Sequence, residues 1–295
     1  MNIVFFIGQL ATGGAERQMV NLACGLSDIG HNVVVATIYP GGNNVKLLKE
    51  NQRLSYISLW NYPSKRFIER CFQLFFSPLI LRKRINHYNP DVVYSMLHMA
   101  NLIAWLSTRG KLANKLVWGI RSSNMTLNLK RAFPERVCAH VSKTVPLAIS
   151  NSKSGLKYHK SRRFNPIRFE TIPNGIDTNT FRFNKELRFT TRNEFGVIAN
   201  QSLIGVVARL DPVKGHITFL KAAAKVSQKI TDVKFVCVGS GPDDFTKKLQ
   251  TLTIEHGLEN RVMWLGNRED TVAIYSALDL LISPSYSEAF PNVIG

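Results

Sequence analysis

The chain of 295 residues is 45% hydrophobic and carries 38 Lys and Arg against 20 Asp and Glu, a net charge of +18. That composition excludes a disordered polymer, and the length accommodates two domains of ordinary size, each burying its own core. No apolar run reaches the roughly 18–20 residues of a bilayer span, and four widely spaced cysteines without a CxxC point to a reduced, intracellular protein.

The opening "NIVFFI" reads as a buried strand, and it lacks the basic n-region and small-residue cleavage site of a signal peptide. It runs through "GQLATGG" into "AERQMVNLACGL", where Met19, Leu22, Ala23 and Leu26 recur at i, i+3, i+4 and i+7 and predict a helix with one core face. Gly13 and Gly14 either close a tight turn or let an anion such as a diphosphate approach the N–H groups at the helix start. The spacing is not GxGxxG, so a nicotinamide cofactor is not indicated. Further strands are predicted at 32–38, 91–97, 115–120 and 147–150, an α/β pattern in which ligands sit beyond the C-terminal strand ends.

Between them, residues 65–84 place Phe67, Ile68, Cys71, Phe72 and Phe75 on one side of a helix, with Lys65, Arg66 and Arg70 nearby. Such a segment is either a membrane-interface helix or a core helix with snorkelling ends. His98, just past the strand 91–97, is either a polar contact to a sugar or a structural histidine.

Around 168–184 the texture changes: Pro173, Asn174 and Gly175 make a turn, and a polar connector follows to about residue 200. Two domains, 1–173 and 174–295, are therefore expected. The second βα series reads strand 203–210, helix 214–230, strand 233–239, helix 243–257 capped by Asp243, strand 261–266, helix 270–277 and strand 279–283. A complete doubly wound module has about six strands, so the second domain reads as incomplete. Arg209 and Lys214 bracket the turn after its first strand, one forked and one point-like cation that either flank a diphosphate or are solvated charges. Gly239 and Gly241 form a ligand-lining loop or an ordinary turn, and Arg268 touches a base or caps a helix. No Asp-x-Asp and no Cys or His metal spacing occur, so phosphate chemistry here would rest on Arg, Lys and backbone N–H groups.

The charge is uneven. Residues 1–180 carry 24 Lys and Arg against 8 Asp and Glu, a net of +16, whereas 181–295 carry 14 against 12. A polyanion facing the first half is implied: an anionic membrane surface, a phosphorylated substrate or nucleic acid. No helix-turn-helix or aromatic-basic reading motif appears, which places the nucleic-acid reading last.

Taken together, "GGAER" (13–17), "IPNGIDTNTF" (172–181), "VARLDPVKGHITFL" (207–220), "VGSGPD" (238–243) and "SEAFPNVIG" (287–295) resemble the retaining, nucleotide-sugar-dependent glycosyltransferases of group 1, family 4. The resemblance implies a GT-B fold, two Rossmann-like doubly wound domains facing a cleft. It implies hexose transfer from a nucleotide-diphospho-sugar to an acceptor hydroxyl with retention, in surface polysaccharide or lipid-linked glycan assembly, without metal or other cofactor. Carried onto this chain, Gly13, Gly14, Gly239, Arg268, Phe290, Pro291 and Asn292 would bind the donor. Arg209 and Lys214 would hold its diphosphate, and Glu288 would contact sugar hydroxyls. Glu16, His98 and Arg121 would contact acceptor or sugar. Relatives carry a His in the strand-end motif that here reads "YSMLHMAN", where Met96 and Met99 take the first-aligned positions. The family's second glutamate, separated from the first by seven residues, would follow Gly295. An inactive nucleotide-sugar-binding fragment is therefore the alternative expectation, and the enzyme would work at the cytoplasmic face of the cell membrane.

Overall fold

The computed structural model describes residues 1–11, 13–50, 53–121 and 129–295; Thr12, inside the predicted first turn, lies outside them. They form two units, Met1–Gly175 and Ile176–Gly295, with the boundary two residues past the predicted one.

In the first unit seven parallel strands, β1 (Asn2–Ile7), β2 (Asn32–Thr37), β3 (Ser55–Ser58), β4 (Val92–Met96), β5 (Leu116–Ile120), β6 (Leu147–Ser150) and β7 (Arg168–Thr171), pair in the order β3-β2-β1-β4-β5-β6-β7. The helices between them are α1 (Gly14–Asp28), α2 (Val45–Glu50), α3 (Phe67–His87), α4 (His98–Thr108), α5 (Leu129–Val141) and α6 (Lys153–Ser161). Because side chains alternate along a strand, β1 feeds two cores. Val4 and Phe6 meet Leu81, Ile85, Ile103 and Ala104 of α3 and α4, whereas Ile3, Phe5 and Ile7 meet Met19, Val20 and Ala23 of α1. Burial on both faces is why these strands read as unbroken apolar runs. The edge strands "SYIS" and "RFET" are half polar and carry no such run, so the pattern does not predict them. The core stripe of α1 is Met19, Val20, Ala23 and Ser27 with Leu26 packed half buried against the same core, and Leu22 points outward, a correction at that one position.

The second unit contains α7 (Lys185–Glu194), β8 (Ser202–Val207), α8 (His216–Ser227), β9 (Val233–Val238), α9 (Asp243–Glu255), β10 (Val262–Gly266), α10 (Thr271–Ala277) and β11 (Leu280–Leu281), with parallel strand order β10-β9-β8-β11. Residues 185–194, expected as connector, are helical. Asn184 caps α7, its side chain accepting from the Leu187 N–H at 2.9 Å. The polarity that hid this helix is its anchorage. Arg188 donates to the carbonyls of Ser276, Ala277 and Leu278, and Arg192 reaches Asp279 at 2.9 Å while Leu203 N–H donates to the same carboxylate at 2.7 Å. Burial works against the Asp279 carboxylate, but the Leu203 N–H and the two guanidiniums outweigh it and hold its pKa below the usual range. Asp243 is the first residue of α9 rather than its cap, the cap position being Pro242. The predicted strand 279–283 pairs over Leu280–Leu281 only.

Among the described residues no helix is long and apolar enough to cross a membrane.

Candidate functional site

In each unit the strand order reverses once, between β1 and β4 and between β8 and β11. Loops diverge at such a point and leave a crevice beyond the C-terminal strand ends.

At the second unit's reversal, the loops after β8 and β11 are clamped together. Asp211 accepts from Val213 N–H at 3.0 Å and starts a single 3-10 turn, Pro212–Lys214. The Val213 carbonyl then accepts from Tyr286 N–H at 2.9 Å, and the Tyr286 hydroxyl lies 2.8 Å from that of Thr218. Between these contacts Gly215 takes φ 73°, and a Cβ there would sit 2.0 Å from the Pro284 carbonyl oxygen. The clamp delivers Glu288 to Lys214: their side chains form an ion pair, both about three-quarters buried. Arg209 stays largely exposed, with Asp211 3.8 Å away. The result is a cation and a carboxylate from segments 74 residues apart held together, with Arg209 in the same loop after β8. Phe290, Pro291 and Asn292 lie half buried just beyond Glu288, in a turn closed by Ile294 N–H on the Pro291 carbonyl.

Gly239 and Gly241 have a packing reason of their own. A Cβ on either would lie 2.1 Å from a backbone oxygen, of Ala208 and Leu210 respectively, so the loop after β9 rests directly on the Arg209 loop. Arg268 is held within the unit, donating to Glu194 at 2.7 Å and to Asp270 at 2.8 and 2.7 Å, and those carboxylates raise its pKa further. It therefore braces the start of α10 to the end of α7.

At the first unit's reversal, Gly13 occupies the N-cap of α1 and the Glu16 carboxylate folds back over it, so closely that a Cβ on Gly13 would sit 2.1 Å from a Glu16 oxygen. Glu16 is thus the third helical residue placed as in a capping box, and its charge lies at the helix N-terminus. Across the crevice Leu97 holds φ 75°, a strained conformation for a branched residue, and turns the chain into α4 at His98. His98 is half buried and pairs with the buried His159: its Nε2 is 3.2 Å from Nε2 of His159, whose Nδ1 lies 2.9 Å from the Gly155 carbonyl. A carbonyl only accepts, so His159 carries its proton on Nδ1 and its Nε2 accepts from His98. Arg121, at the end of β5, donates to Asn174 Oδ1 and to the Tyr94 hydroxyl, both at 2.7 Å. It ties the "IPNG" segment to the β4–β5 end, a partnership that sequence spacing had no means of showing.

Sequence reasoning missed Gly215, Tyr286, His159 and His216. Only Gly215 had a readable signal, a glycine between a turn and a helix start. His216 opens α8 and is buried. Burial first, then Lys214, drives its pKa down to about 4; burial, then His159, lowers His98, and burial lowers His159.

These three imidazoles are neutral in the fold, whereas unfolded histidines titrate near 6.5. Below that pH the unfolded chain binds protons the folded chain refuses, so stability falls as pH drops from about 6.5, the His216 and His98 contributions levelling off below about 4. For His216 the loss at about pH 5 is about 2 kcal/mol. Thermal melts between about pH 7 and pH 5 check this; a flat Tm across that window contradicts it.

The family model described as Glycosyltransferase Family 4 matches residues 12–180, and that described as Glycosyl transferases group 1 matches 188–294. A Campylobacter jejuni alpha-1,4-N-acetyl-D-galactosaminyltransferase, whose name gives a diNAcBac-PP-undecaprenol-linked glycan, is 27% identical over all of this chain and 76% of its own length. A Mycobacterium D-inositol 3-phosphate glycosyltransferase is 34% identical over 42% of this chain and 28% of its own. Among solved structures, Anabaena HepE with UDP and glucose superposes with a TM-score of 0.80 at 23% identity, over 100% of this chain and 77% of that one. Sucrose-phosphate synthase from Thermosynechococcus elongatus does so at 0.79 and 18%, over 99% and 77%.

Proposed function

The chain belongs to the group 1, family 4 glycosyltransferases of GT-B fold, and on that premise we propose that it moves a hexose from a nucleotide-diphospho-sugar to an acceptor hydroxyl with retention. The observation that carries the reading is the pairing of Lys214 with Glu288 at the strand-order reversal of the second unit, with Arg209 in the same loop as Lys214.

As the bond from the anomeric carbon to the diphosphate lengthens, negative charge collects on the phosphate oxygens. Arg209 and Lys214 stabilise that charge, and no metal is needed for it. In the unliganded chain Glu288 shields the Lys214 charge; with donor bound, Lys214 turns to phosphate and the carboxylate accepts from sugar hydroxyls. Phe290, Pro291 and Asn292, just beyond Glu288, are assigned to the same donor site. Front-face departure lets a leaving phosphate oxygen take the acceptor proton, so no enzymic nucleophile is required and configuration is retained.

The acceptor we propose is a surface polysaccharide or lipid-linked glycan presented at the cytoplasmic face of the cell membrane. The glycan named for the Campylobacter relative and the excess of Lys and Arg in residues 1–180 support it. Glu16, His98 and Arg121 are the candidate contacts on the first unit. There, Glu16 must leave the α1 N-terminus before a phosphate can use Gly14.

The test is thermal stabilisation by UDP-, GDP- and ADP-sugars in turn. A matching donor at a hundredfold excess over Kd adds about 2.7 kcal/mol, and the Tm of the second unit rises by several degrees. No shift with any of the three overturns the proposal. A shift without release of nucleoside diphosphate on adding acceptor leaves a binding protein in place of an enzyme.

A further inference from the structure

Helices α4 and α6 of the first unit bring together two histidines 61 residues apart in the chain. His98 opens α4 directly after the strained Leu97, and its carbonyl accepts from Cys138 Sγ at 3.2 Å. His159, in α6, is fully buried. Three neighbours fix its ring: the Gly155 carbonyl 2.9 Å from Nδ1, Phe164 edge-to-face with centroids 4.8 Å apart, and Tyr158 at 5.1 Å. A nearby acid, Glu135, is buried and accepts from Arg162 Nε at 3.1 Å and from the Tyr158 hydroxyl at 3.4 Å. Its charge favours an imidazolium, but it is already paired with Arg162. Burial outweighs it at both histidines, which are therefore neutral.

Two neutral imidazoles joined Nε2 to Nε2 share one proton, and the Gly155 carbonyl decides whose it is. His159 spends its own proton on that carbonyl, so its Nε2 is a lone pair and His98 donates from Nε2. A neutral ring carries a single proton, which leaves Nδ1 of His98 as a bare acceptor. That atom has no hydrogen-bond partner among the described residues, and the ring is half buried rather than sealed. We infer that His159 is a positioning residue: it locks the His98 ring in the Nε2–H form, so that what the first unit offers at the start of α4 is a lone pair, which takes a neutral hydroxyl of sugar or acceptor and refuses an anion. Without that lock a histidine populates both tautomers and turns its ring, and only part of the population then presents an acceptor. His98 as a sugar contact belongs to the transfer reading above, on which this assignment rests. His159 itself touches no substrate, being fully buried.

The experiment compares the whole chain with two variants. His159→Phe fills the ring volume but accepts nothing, whereas the amide oxygen of His159→Gln accepts from His98 Nε2. Long-range proton–nitrogen spectra of histidine-labelled protein read the tautomers directly. At neutral pH, His98 of the parent is expected to be protonated on Nε2 alone. In His159→Phe it becomes a mixture of both forms, and in His159→Gln the Nε2–H form returns. With the nucleotide sugar chosen by thermal stabilisation, kcat/KM falls about tenfold in His159→Phe, the worth of one oriented hydrogen bond. Affinity for the bare nucleoside diphosphate keeps its parent value, and His159→Gln recovers most of the turnover. In a His98→Ala background His159→Phe costs nothing further, since a positioning residue acts only through the residue it positions. An unchanged His98 tautomer in His159→Phe overturns the inference. So does an equal loss of turnover with and without His98, for His159 would then be packing alone. The tautomers are read without turnover, so a parent that releases no nucleoside diphosphate counts against the transfer reading, and the spectra then decide the role of His159.

Discussion

Replacing Arg209 and Lys214 together by alanine is expected to lower sugar transfer by about a thousandfold or more. Removing one preorganised donor from a developing oxyanion costs roughly a hundred- to a thousandfold, and here both cations of the proposed diphosphate site go. The fold should tolerate the change: Arg209 is largely exposed, and the Lys214 partner Glu288 keeps about a quarter of its side chain in contact with water. The measurement is kcat/KM for release of nucleoside diphosphate, alongside the melting temperature. Activity within tenfold of the parent would show that the diphosphate is held elsewhere. The single variants separate the roles further. Loss of Lys214 also removes the ion pair to Glu288, so it should raise KM and lower kcat together, whereas loss of Arg209 should act mainly on kcat.

Gly215→Ala is the second large effect, and it acts through the backbone. The left-handed φ of 73° costs an alanine about 1–2 kcal/mol, and its Cβ would lie 2.0 Å from the Pro284 oxygen. No rotamer relieves a contact with backbone, so the loop carrying Tyr286 and Glu288 must retreat. At least about 2 kcal/mol of stability should go, and with it the response to nucleotide sugar. Gly25→Ala is the control. Gly25 lies inside α1 with nothing within 4 Å of its Cβ, and alanine there should be neutral or raise stability by about 0.5–1 kcal/mol. If Gly215→Ala melts like the parent and still responds to donor, the clamp between the two loops is not what organises the site.

Much of this protein was legible in the chain itself because parallel, fully covered strands need unbroken apolar runs. "NIVFFI", "NVVVAT" and "VKFVCV" therefore announced β1, β2 and β9, and the glycine and cation motifs after such strands marked where ligands bind. Elements whose stability comes from distant partners stayed hidden. Helix α7 is polar because its arginines grip Asp279 and carbonyls about ninety residues away, and β3 and β7 are edge strands with only one neighbour each. The helix of residues 65–84 was equally ambiguous, since the same Phe and Ile suit a core or a membrane; only the packing of Gln73, Ser77, Leu81 and Ile85 decided which face is outside. The residue types of the candidate site, two cations and an acid, were thus written in one dimension. Their meeting was decided by the reversal of strand order between β8 and β11, because that crossing, and the glycine that lets Pro284 close on it, is what places Lys214 against Glu288.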